Sequence, residues 1–149
     1  MLCLPKIIKK TDDYIEVFVL KEIESLNKFM PSKVAVRNCK RKRVDYNFLA
    51  EQWAKYKRQW AGALSIFPLM DKEKKIVDTT IISSRRRLMD VENLYGGSKP
   101  IRDFLQTRGW LYDDSPKWGD LQCLQEIAPK EQVGTTIILR TKNDDSKNK

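Results

Sequence analysis

The sequence predicts an α/β (α+β) fold: a single small domain with a mixed β-sheet packed by two helices. Three observations carry that expectation. Segments rich in β-branched and aromatic residues alternate with one long segment of helical periodicity. A chain of 149 residues holds one real core and needs no second domain. Its composition, 41% hydrophobic and 33% charged, is that of a globular chain.

Each element has its own signal. Tyr14 to Leu20 (YIEVFVL) reads as a buried first strand. From Met30 to Arg43 no period is visible, so this stretch is expected to be a loop, either simply solvated or closing over nucleic acid. Asp45 is placed to cap a helix running through Leu64, with Leu49, Trp53, Tyr56, Trp60 and Leu64 at helical intervals. Aromatic residues at that spacing form a core face more often than a base-stacking surface, which leaves Lys55, Lys57 and Arg58 on the polar side. Ile76 to Ser83 has strong β-propensity and leads into Arg85, Arg86 and Arg87. Ser98 is placed to cap a short helix with Pro100 in its first turn, Ile101, Phe104 and Leu105 facing inward and Gly109 ending it. Asp113 and Asp114 follow on a turn. Leu121 to Ile127 and Gln132 to Leu139 supply two more strands, so the domain is expected over residues 1–140, with 141–149 as a flexible polar tail.

Charge and composition narrow the chemistry. The net charge is +9, and basic residues cluster at Lys40, Arg41, Lys42 and Arg43 and again at Arg85, Arg86 and Arg87. Such a field attracts a polyanion, with DNA or RNA ahead of an anionic membrane because no basic amphipathic anchor is visible. No apolar run approaches the roughly 20 residues that span a bilayer. Lys6, Lys9 and Lys10 follow Met1 too closely for a secretory signal, and a cytoplasmic location is expected. Cys3, Cys39 and Cys123 are widely spaced, and the chain has 0 histidines. That argues against a Cys/His zinc site and excludes Ser-His-Asp and Cys-His nucleophilic groups. Carboxylates, lysine and a metal are the catalytic chemistry left.

Those residue types gather between Arg85 and Asp114 (RRRLMDVENLYGGSKPIRDFLQTRGWLYDD). If Asp90 and Glu92 end a strand, both carboxylates project from one face of the sheet. Their repulsion is relieved by a hard cation such as Mg²⁺, which is usually held by one or two carboxylates plus substrate phosphate. On their own, such acids are commonly turn and capping residues.

The order Asp90, Glu92, Asn93, then Lys99, Asp103, and finally Asp113 and Asp114 after Trp110, Leu111 and Tyr112, resembles the RusA family of Holliday junction resolvases, with its acidic D-x-D-N motif, lysine, helix and D-D pair. Ser25, Leu26 and Asn27 resemble a short N-terminal element of that family. The chain departs from the pattern twice. Glu92 stands where the family usually has aspartate, and Leu94 to Ser98 place about three extra residues before Lys99, a stretch in which Gly96 and Gly97 are expected to turn the chain.

The resemblance implies a homodimer that resolves four-way DNA junctions by metal-dependent phosphodiester hydrolysis. In that reading Asp90, Glu92 and Asp114 hold Mg²⁺, with Mn²⁺ able to substitute. The metal polarises the scissile phosphate and lowers the pKa of a bound water. Lys99 offsets charge on the phosphoryl oxygens, while Asn93 and Asp113 orient the metal ligands. Lys40 to Arg43 and Arg85 to Arg87 bind the DNA backbone. The alternatives left open are a non-catalytic, basic DNA-binding protein and a nuclease acting on flaps or single strands.

Overall fold

A computed structural model describes residues 5–30 and 45–143. They form one five-stranded mixed sheet with its helices on a single face. The strands are β1 (Lys6–Lys10), β2 (Tyr14–Val19), β3 (Ile76–Arg85), β4 (Leu121–Ile127) and β5 (Gly134–Lys142). The helices are α1 (Tyr46–Ala63), α2 (Val91–Gly97) and α3 (Lys99–Thr107). The sheet order is β1-β2-β5-β3-β4, antiparallel throughout except for the parallel pair β3 and β4. Among the described residues, no helix is long and apolar enough to cross a membrane.

One-sided cover explains the burial pattern of the strands. In β2, Ile15, Val17 and Val19 are buried, while Tyr14, Glu16 and Phe18 are only half-buried. The segment is therefore not buried on both faces, and it is the second strand rather than the first. Strand β1 has an alternating register with β2 but is exposed along its whole length, so its lysine-rich sequence carries no burial signal. The inner faces of β2, β3 and β5 meet Tyr56, Trp60 and Leu64 of α1 and Leu94, Ile101 and Leu105 of α2 and α3 in one core. Burying a large apolar side chain of this kind stabilises by roughly 1.5–3 kcal/mol relative to leaving it exposed. Phe29, Trp53, Tyr56 and Trp60 pack ring to ring within that core, so the aromatic stripe of α1 is structural.

The caps are local chemistry. The Asp45 carboxylate accepts from the Phe48 N–H at 3.1 Å and starts α1, as expected from the sequence. Ser25 caps the single 3-10 turn of Leu26–Lys28 by accepting from the Asn27 N–H at 3.3 Å. Ser98 lies between α2 and α3, but its hydroxyl donates back to the Tyr95 carbonyl at 2.7 Å instead of capping α3. Thr141 and Lys142 belong to β5, so the sheet runs two residues past the expected domain limit at 140. Positions 31–44 and 144–149, including Lys40 to Arg43, lie outside the described residues.

Candidate nucleic-acid and metal site

The first acidic group is built by a helix start. Strand β3 ends at Arg85, five residues before Asp90, so Asp90 and Glu92 do not share a sheet face. Asp90 is instead the N-cap of α2, its Oδ1 accepting from the Glu92 N–H at 3.0 Å, and Glu92 stands in the first helical turn. Both side chains are exposed and Asn93 is half-buried beside them. The preceding residue is pinned: the Met89 N–H donates to Gln125 Oε1 at 2.9 Å, and Gln125 Nε2 donates to the Met89 carbonyl at 2.7 Å. This pair fixes the acidic motif over the C-terminal part of β4.

The extra residues before Lys99 are helix, not turn. Leu94 is buried in the core, and Gly96 and Gly97 complete α2 because the chain after β2 packs directly onto them. A Cβ on Gly97 would collide with the Glu24 carbonyl oxygen, and one on Gly96 would meet Leu26. The Tyr56 hydroxyl locks this approach, donating to the Gly97 carbonyl at 2.8 Å and accepting from the Glu24 N–H at 3.0 Å. Burial raises the pKa of that hydroxyl above its ordinary value, so it stays a neutral donor. Lys99 opens α3, a helix separate from the one that Asp90 caps. Lys99 is exposed, and its Nζ pairs with Asp103 at 3.2 Å within α3.

The second acidic group lies elsewhere. The Asp113 carboxylate accepts from the Asp114 N–H at 2.7 Å, with Asp113 half-buried and Asp114 exposed. These two residues line a small cavity with Thr79, Arg102, Asp120 and Leu121. Leu121 is four residues before Gln125 on β4, so the strand residue beside this cavity and the one that pins Met89 lie roughly 13 Å apart along the strand. Asp90 and Glu92 are thus neighbours, as are Asp113 and Asp114, but Asp114 does not join Asp90 and Glu92. Among the described residues, no group of three or more His, Cys, Asp or Glu side chains is gathered to hold a metal ion.

The arginine triplet divides in the same way. Arg85 donates to the Ile23 carbonyl at 2.9 Å and the Arg87 carbonyl at 2.7 Å, and pairs with Glu22 at 3.4 Å. It holds the segment after β2 to the end of β3, with its side chain only 12% exposed. Arg86 and Arg87 are exposed and precede Asp90 on the same connection.

Four charged residues near the second group carry no sequence signal of their own. Arg102 is buried, stacks 4.3 Å from the Tyr95 ring and donates to the Tyr95 carbonyl at 3.2 Å, while its Nε has no partner among the described residues. Asp78, Asp120 and Lys142 form a clamp in which Lys142 Nζ meets Asp78 at 2.9 Å and Asp120 at 3.6 Å. Only the pairing of β3 with both β4 and β5 brings these residues together. No family model matches the chain, and no curated protein matches it.

Proposed function

We propose that the protein is a Mg²⁺-dependent endodeoxyribonuclease that cuts branched DNA, four-way junctions above all, and that it works as a homodimer with one site for each of two symmetric strands. The observation that carries the reading is the exposed Asp90 and Glu92 pair, fixed through Met89 onto β4, with exposed Arg86 and Arg87 earlier on the same connection. Mg²⁺ needs only one or two protein carboxylates when substrate phosphate and water complete its octahedron. Asp90 retains Oδ2 for such a role while Oδ1 caps α2. The metal supplies a polarised phosphate and an activated water. Arg86 and Arg87 hold the backbone next to it, and Glu92 provides the second carboxylate. Asp114 and Lys99 then act on DNA away from the metal.

A second reading is a basic DNA-binding protein without cleavage. That no group of three or more carboxylates is gathered among the described residues favours it. Both readings call for DNA binding that weakens steeply with salt, so the deciding test is scission. A labelled synthetic four-way junction, with matched duplex and flap controls, is incubated with Mg²⁺ and with chelator. Symmetric nicks that need Mg²⁺ and stay at the junction support the resolvase; binding without nicks supports the second reading, and better cutting of flaps makes it a flap nuclease. Asp90→Asn is expected to abolish cutting with binding equal or slightly stronger, because negative charge beside phosphate is removed. Undiminished cutting by that variant rules the site out.

A further inference from the structure

We infer that the free edge of β4 is a self-association surface on which a second copy of this chain adds its own β4, antiparallel, to make one continuous ten-stranded sheet. Among the described residues β4 pairs with β3 alone, so one side of a seven-residue strand offers unpaired N–H and C=O groups. Exposed edges of this kind are normally guarded by lysine, proline or a bulge. Strand β4 (LQCLQEI) has no lysine, no proline and no register break, and its one charge, Glu126, accepts from the Ser84 hydroxyl at 2.6 Å on its own sheet.

The surroundings are apolar. Leu124 is 49% exposed and Ile127 64% on the strand, and Leu88 is 58%, Val91 64% and Tyr95 49% exposed on and before α2, the helix packed against β4. Large apolar side chains gathered around an open strand mark an interaction site.

The sequence of β4 is complementary to itself in one register. A two-fold axis perpendicular to the sheet joins strands so that residues of the same face stand opposite each other. Centred on Leu124, it sets Leu124 against its copy, the Gln122 amide against the Glu126 carboxylate, Cys123 against Gln125 and Leu121 against Ile127. No like charges meet. Centred one residue earlier, it would set Asp120 against Glu126, and centred one later it would set Leu124 against Glu126. A second copy fits this edge because the copy carries the complement of every position. The inference deepens the dimer of the proposed nuclease but is read without DNA or metal, so loss of cleavage and loss of pairing are separate results.

The test is mass by light scattering behind size exclusion, on the full chain across a micromolar concentration series. The expected result is a dimer in the unaltered protein and a monomer for Leu124→Lys, in which two ammonium groups face each other across the axis. Leu124 is half-exposed, so the monomer should keep the fold, with an unchanged far-UV circular dichroism spectrum. A second variant gives a positive signal: Leu124→Cys in a Cys123→Ser background brings two thiols opposite each other, where antiparallel Cα separations of about 4.5–5.5 Å suit a disulfide. Oxidation should convert it to a covalent dimer, with no such band from Cys123→Ser alone. A protein that is monomeric throughout, or a dimer that survives Leu124→Lys and does not cross-link, overturns the inference.

Discussion

At one edge of the sheet, β1 carries Lys6, Lys9 and Lys10 and a register break between Ile7 and Lys9; at the other, β4 carries no lysine and shows Leu124 and Ile127 to solvent. Among the described residues both are terminal strands with one unpaired side, and both hold apolar residues that solvent reaches, Ile7 at 42% and Ile8 at 51% on β1. Only β1 adds desolvation of ammonium groups to the cost of docking another strand there. The difference teaches how to read the net charge of +9. Part of that charge keeps an edge closed, and part, in Arg85, holds two segments together, so basic residues do not all count toward nucleic acid.

Removing the guard should have the largest effect. Changing Lys6, Lys9 and Lys10 together to threonine leaves two unguarded edges on one molecule, and edge-to-edge addition then has no natural end. Light scattering is expected to show growth far beyond a dimer over hours. Replacing Lys55, Lys57 and Arg58 by glutamine removes the same charge from the exposed side of α1 and should leave particle size unchanged. If both triple variants grow alike, colloidal charge rather than the β1 edge is responsible.

The edges differ also in what covers them. Leu94 of α2 is 1% exposed in the core, whereas Ile8 of β1 is 51% exposed. Leu94→Ala is expected to cost about 2–5 kcal/mol, and Ile8→Ala to stay within about 0.5 kcal/mol. Urea unfolding of both measures the contrast. A small loss at Leu94 would mean that α2 is not packed onto the sheet near β4, and the apolar surface beside that edge would lose its support.

What the sequence disclosed follows where local chemistry was decisive. Asp45 announces α1 because a short acceptor before a helical apolar stripe has few other uses, and the runs at Ile76 and Leu121 announce β3 and β4 because β-branched and apolar residues crowd there. Strand β1 was silent because an edge strand exposed on both faces has no hydrophobic period to show. Gly96 and Gly97 pointed to a turn because glycine more often permits a turn than a close contact; here the need was room beside Glu24 and Leu26, which depends on the path of a distant segment. The candidate site divides the same way. Asp90 with Glu92, and Asp113 with Asp114, are neighbours by chain order alone. Whether the two groups meet depends on tertiary packing, which chain order does not carry. Arg102 and the Asp78, Asp120 and Lys142 clamp were likewise out of reach, since tertiary pairing alone unites them.

That clamp yields the smallest expected effect, and it bears on how firmly β4 is held to the sheet it would extend. Asp78 accepts from the Asp120 N–H at 2.9 Å, on the residue just before β4, and pairs with Lys142 on β5. Partial burial pushes the Asp78 carboxyl up, but the Asp120 hydrogen bond and the Lys142 ion pair, with Arg140 nearby, push it down further, and the net value lies below the ordinary one. Lys142 is raised in turn, chiefly by its hydrogen bond to Asp78. A carboxyl depressed on folding stabilises the native state above its unfolded pKa and loses that contribution as pH falls through the folded value. Asp78→Asn should therefore lower the urea midpoint by a constant small amount from pH 7 down to about pH 5, with the gap closing below about pH 4. The whole difference should shrink in 0.5–1 M salt, because the Lys142 end of the pair is half-exposed and screened. A gap that persists at pH 2, where the Asp78 carboxyl is itself neutral, would mean that the loss does not come from its charge, and the contribution of the Lys142 pair to holding the start of β4 would be ruled out.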